Sequence, residues 1–209
     1  SGAGYSTVCD ITQMAGKLPV IYGDVTPSYA ILSAHKFGGP KGVGALINFT
    51  ADDPAPMLRG GGQEMNRRSG TENVIGIAGF GAAAEAAGAD VAAGKWEEVA
   101  YFRNILEKTI AAASKQTIFV GKESVRLPNT SCMLTPGWKG ETQVMQMDLA
   151  GFAVSAGSAC SSGKVKASKV LLAMGYDEAE AASAIRVSLG LGTTENDVLR
   201  FADAWAAKF

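Results

Sequence analysis

Short apolar runs that stop abruptly in polar, glycine-rich loops recur along this chain, and that alternation limits the fold more than any other feature. Residues 5–12 (YSTVCDIT), 29–34 (YAILSA) and 43–49 (VGALINF) carry the β-branched and aromatic side chains expected of strands. The second run ends at HKFGGPKG and the third at the turn-like TADDPAP, while QMAGKLP leaves no room for a long helix between the first two. From Asn73 the composition turns rich in Ala, Leu and Glu, which predicts long helical segments through residue 114. QTIFVG and RLPNTSCML then predict strands, ETQVMQMDLAG a helix, FAVSAG a strand, KASKVLLAMG a helix with Gly175 near its end, and SAIRVSLG a strand. The last segment, TTENDVLRFADAWAAKF, predicts an amphipathic helix with Thr194 as N-cap. Strands alternating with helices mean α/β. A boundary is expected near residues 85–95, dividing the chain into residues 1–90 and 91–209.

At 209 residues the chain can bury a substantial core, and its net charge of −1 argues against a role in non-specific nucleic-acid binding. Cys9, Cys132 and Cys160 are widely spaced and form no CxxC pair, which predicts thiols in a reducing, cytoplasmic setting rather than a disulfide frame or zinc site. No charged leader precedes a long apolar run, so neither a signal peptide nor a membrane span is expected.

Four places carry side chains suited to chemistry. The first is SAHKFGGPKGVG (33–44), where the chain's one histidine, His35, sits beside Lys36. A lysine ending an apolar strand can serve as a nucleophilic amine, and the glycine-rich run offers backbone N–H groups to an anion. A solvated loop pair accounts for the same spacing, and no GK[ST] follows to make a triphosphate loop. The second is GGGQEMNRRSGTEN (60–73), where Arg68 and Thr71 precede a helix and suit a phosphate; a turn capped by Ser69 or Thr71 suits it equally. The third is SAGSACSSG (155–163): Cys160 stands among small polar residues, as a reactive thiol would, whereas Cys9 and Cys132 have the apolar neighbours of structural cysteines. The fourth is Arg186, whose guanidinium inside SAIRVSLG requires an anion. Asp10 and Gln13 follow the first strand, where an acid either pairs with a protonated ring nitrogen or simply closes a turn.

In order and spacing, DITQ, SAHKFGGPKGVGAL, GGGQEMNRRSGTEN, RLPNTS, GSACSSG and IRVSLG resemble the cysteine desulfurases of the NifS/IscS group, class V enzymes of fold-type I that use pyridoxal 5′-phosphate. The resemblance implies the C-terminal part of a large-domain sheet followed by a complete small α/β domain. It implies that Lys36 bonds the cofactor, Asp10 its ring nitrogen and Gln13 its phenolic oxygen. Ser33 and His35 would hold the phosphate, and Thr71 the phosphate of a neighbouring subunit's cofactor, hence a homodimer. Arg186 would clamp the substrate carboxylate. Cys160 would take sulfur from L-cysteine as a persulfide, release L-alanine, and pass the sulfur to an acceptor or scaffold protein of iron–sulfur cluster assembly.

Members of that group run to roughly twice this length, the size of a two-domain chain. The missing part normally brings a second phosphate loop, a histidine stacked on the cofactor and an asparagine near its phenolic oxygen. With His35 the only histidine, the stacking residue is not in this chain. The expectation is a C-terminal half that by itself binds cofactor poorly and has little activity. A class V transaminase, a selenocysteine lyase and a non-catalytic half-chain that pairs with another polypeptide remain the alternatives. Cys160 separates the first of these from a desulfurase.

Overall fold

Three strands open the chain: β1 (Val8–Asp10), β2 (Tyr29–Ser33) and β3 (Gly44–Asn48), in the spatial order β1-β2-β3. The computed structural model describes residues 5–21, 23, 26–156 and 167–209. β1 runs parallel to β2, with Asp10 opposite Ile31, and β3 runs antiparallel to β2, with Gly44 opposite Ser33. This small sheet is therefore mixed. Its β1 is exposed throughout, so Cys9 is exposed, against the buried setting its neighbours in sequence suggest. β1 is an edge strand, and apolar neighbours along a strand do not bury a residue unless a layer covers that face.

A single turn, α1 (Gln63–Asn66), and a long helix, α2 (Val74–Ala92), complete the first of two compact units, Ser1–Gly94. Glu64, Met65 and Asn66 in α1 have φ of 51°, 58° and 66°, a left-handed turn that composition gives no sign of. Asn73, rather than Ser69 or Thr71, caps α2 by accepting the N–H of Gly76 at 3.1 Å. Where composition suggests continuous helix, Gly94 takes φ 70° and ends α2 in the left-handed geometry that glycine adopts without a Cβ clash. By length and composition alone α2 is also long and apolar enough to cross a membrane, against the expectation of no such segment. Alanine and glycine nevertheless make up 12 of its 19 residues, and Glu85 and Asp90 lie on the helix.

The second unit, Lys95–Phe209, begins with α3 (Lys95–Ala113) and then alternates strands and helices. Its strands are β4 (Ile118–Phe119), β5 (Thr130–Leu134), β6 (Ser155–Ala156) and β7 (Ala184–Ser188), ordered β4-β5-β7-β6 with every pair antiparallel. The helices are α4 (Gly140–Leu149), α5 (Lys169–Ala173), α6 (Glu178–Ala182) and α7 (Glu195–Ala206). α3, α4 and α7 bury Leu106, Ile110, Met147, Val198, Phe201 and Trp205 with Met133, Ile185 and Val187 of the sheet. Each large apolar side chain so buried contributes about 1.5–3 kcal/mol. A smaller cluster joins Leu134 and Ala184 to Leu171 and Ala181 of α5 and α6.

Capping boxes fix two of these helices, and Ser168 caps α5. Thr194 and Asp197 form a reciprocal capping box at α7, and Asp177 with Glu180 forms one at α6. Only the first is anticipated. The five residues of α6 lack the apolar period that reveals a longer helix.

Candidate functional site

Asp10, Ser33, His35 and Lys36 lie at or just past the carboxyl ends of β1 and β2, which run parallel. Asp10 closes β1, Ser33 closes β2, and His35 and Lys36 follow in the 3-10 turn Ala34–Lys36. The carboxyl ends of parallel strands are where α/β sheets leave a crevice for ligands.

Local packing holds this turn. Gly39 folds back so that its N–H reaches the carbonyl of Ala34 at 2.9 Å, and a Cβ at Gly39 would stand 2.7 Å from that of Ala34. Only glycine permits that approach. Phe37 packs against Phe80 of α2 with the rings tilted and their centroids 5.6 Å apart, and Gly16, at φ 75°, presses residues 11–18 against Phe37. In FGGPKG, Gly39 therefore serves the turn's packing, while Gly38 and Gly42 supply backbone at φ 95° and 79°. His35 and Lys36 are both exposed, so the lysine stem is not buried as its place after an apolar strand suggests. Ser33 precedes the turn, but its hydroxyl makes no capping bond and remains available to an acceptor or donor.

Asp10 is exposed, and hydrogen bonds from Thr12, including its N–H at 2.9 Å, hold the carboxyl below the ordinary aspartate value. An acid kept ionised in this way can hold a proton on a ring nitrogen. Gln13 is exposed, and its backbone carbonyl accepts the ammonium of Lys17 at 3.0 Å. Sequence reasoning missed Lys17. It is only 8% exposed, and burial first, then the charge of Lys36, pushes its amine below the ordinary lysine value. GKLP gives little sign of this, because burial comes from the turn over residues 11–18.

Thr71 is exposed between Gly70 and the cap of α2. Arg68 is committed elsewhere: it donates to Glu64 at 2.7 Å and to the carbonyl of Gly70 at 2.8 Å.

Arg186 belongs to the second unit. It lies in β7 between Cys132 of β5 and Ser155 of β6, on the face opposite Ile185 and Val187. Directly paired residues of neighbouring strands share a face. The guanidinium is exposed, and its anion is therefore not a core acid. Burial raises the Cys132 thiol above its ordinary value while the charge of Arg186 opposes the shift, which leaves Cys132 a poor nucleophile. Cys160 lies outside the described residues. The strand that leads to it in sequence, β6, is hydrogen-bonded beside Arg186.

Comparison with known proteins assigns the arrangement to a family. The aminotransferase class-V profile matches residues 2–201. The chain belongs to the aminotransferase class-V family. Among its class-V relatives, a cysteine desulfurase of Cereibacter sphaeroides is 42% identical over 201 residues, covering 96% of this chain and 50% of that protein. A cysteine desulfurase IscS of Anaeromyxobacter sp. is 42% identical over 200 residues, covering 94% and 48%. The structure of a NifS-like protein from Rickettsia africae superposes with a TM-score of 0.82 at 33% identity, covering 95% of this chain and 52% of that one. The chain thus spans about half the length of the curated relatives it matches.

Proposed function

We propose that this class-V chain carries the C-terminal portion of a pyridoxal-phosphate-dependent cysteine desulfurase, with residues 1–90 as the end of the cofactor domain and 91–209 as the small domain. The observation that carries the reading is the placing of an amine, a stabilised carboxylate and a hydroxyl free of any capping bond, on Lys36, Asp10 and Ser33, at the carboxyl ends of neighbouring parallel strands.

That donor set fits the cofactor. Lys36 would hold it covalently, Asp10 its ring nitrogen, Gln13 its phenolic oxygen, and Ser33 and His35 its phosphate; Thr71 would serve a second subunit of a homodimer. When bound, pyridoxal phosphate supplies an electron sink for the substrate's Cα. Arg186 binds the α-carboxylate of L-cysteine with a charge-assisted fork and so orients the substrate. The thiolate of Cys160 attacks the substrate sulfur. The S–S bond forms as the Cβ–S bond breaks, the bonding pair returns to carbon, and a proton there completes L-alanine. Cys160 keeps the sulfur as a persulfide for an acceptor or scaffold protein of iron–sulfur assembly in the cytoplasm.

The test is product analysis on the protein from its own source, supplied with L-cysteine and cofactor. Alanine in amounts equal to persulfide is expected, with both lost in Lys36→Ala and persulfide lost in Cys160→Ala. A keto acid in place of alanine, unaffected by Cys160→Ala, would instead mark a transaminase. The 209 residues by themselves should form little alanine. Vigorous turnover by them would remove the incomplete-pocket part of this reading and leave the reaction standing.

A further inference from the structure

Away from the residues assigned above, the second unit contains a cleft of 810 Å³ between α3 and residues 122–126. Five cations line it, Arg103, Lys108, Lys115, Lys122 and Arg126, against one acid, Glu107. That acid is already used. Glu107 is 3% exposed and accepts both arms of the Arg126 guanidinium at 2.7 Å, along with the hydroxyl of Ser131 at 2.7 Å.

The remaining charge is uncompensated within the cleft. Arg103 is 9% exposed, and its guanidinium bonds neutral oxygens, the Leu127 carbonyl at 2.7 Å and Asn104 Oδ1 at 2.9 Å. The Arg103 and Arg126 bonds also tie residues 122–127 to α3, so both walls are fixed before any ligand arrives. Lys108, Lys115 and Lys122 are exposed on the rim.

We infer that this cleft binds an acidic segment of a partner protein. The spread of the cations decides between ligand classes. From Arg103 to the end of α3 at Ala113 the helical rise covers about 15 Å, with Lys115 just beyond it, and a compact phosphate would need donors converging on one point. Of the two guanidiniums, that of Arg126 is consumed by Glu107. An extended peptide places same-face side chains about 6.6 Å apart, so roughly six residues span the row of cations. Lysines on flexible stems suit such spaced carboxylates. Val125, fully exposed on the rim, offers an apolar contact beside them. The inference is independent of the reaction proposed above.

The experiment titrates the full chain with a deca-glutamate peptide at low ionic strength and follows backbone amides by NMR. Saturable binding is expected, with shifts confined to α3 and residues 122–127. Lys108→Glu, Lys115→Glu and Lys122→Glu together should weaken it by about tenfold or more, since each rim charge contributes modestly. The corresponding Lys→Gln triple, which adds no new charge, should fall between. The inference is overturned if no saturable binding occurs, or if both triples bind as the parent does. It is also overturned if inorganic pyrophosphate shifts the same amides at lower concentration than the peptide, which would make the cleft a small-phosphate site.

Discussion

The indole Nε1 of Trp205 donates to Oε1 of Gln143 at 3.1 Å, and both side chains are sealed from solvent. The amide of Gln143 donates in turn to the carbonyls of Trp138 and Ser183, each at 2.8 Å. One side chain thereby joins α4, α7 and the residue that leads into β7, the strand bearing Arg186. Gln143→Leu would leave three buried polar groups unpaired, and about 3 kcal/mol of stability should be lost. Urea unfolding measures it; a loss below about 1 kcal/mol would show that the groups re-pair or hydrate.

Glu107 gives the second unit an acid-sensitive element. Burial alone would raise its carboxyl, but hydrogen bonds from Arg126 and Ser131 and the charges of Arg126 and Arg103 bring it below the ordinary glutamate value. A depressed carboxylate contributes stability that is complete above its unfolded value and is lost as pH falls through the folded one. The parent should therefore lose stability in acid more steeply than Glu107→Gln. Glu107→Gln itself should cost about 3–5 kcal/mol at neutral pH, because Arg126 is left half-buried without its acid. Parallel slopes for the two proteins would contradict this.

Lys17 predicts the opposite end of the pH scale. Burial and the charge of Lys36 lower its amine in the folded chain. Between that lowered value and the ordinary lysine value the unfolded chain binds the extra proton, so stability rises with pH across the interval. Lys17→Met should flatten the rise, as followed by thermal unfolding from neutral to alkaline pH. An unchanged rise would assign it to another group.

The legible part of this fold lay in its periodicities and caps. YAILS and AIRVS become β2 and β7, and Thr194 is the N-cap of α7 as expected. The rest depends on tertiary contact. The left-handed turn at Glu64–Asn66, the burial of Lys17 under its own turn and the exposure of Cys9 on an edge strand all follow from what packs where. The site was legible as motifs because Asp10, Ser33 and Lys36 end strands or follow them directly. Their placement at neighbouring strand ends needed the parallel pairing of β1 with β2, which no local pattern specifies.

The central claim is that Lys36 is the cofactor-bearing amine. Its most direct test is to add pyridoxal phosphate, reduce with borohydride, and map the labelled peptide by mass spectrometry. The account predicts label concentrated on Lys36, with the preference diminished in Asp10→Asn and Ser33→Ala. Label shared evenly with exposed lysines such as Lys41 and Lys122, and indifferent to those substitutions, would contradict it.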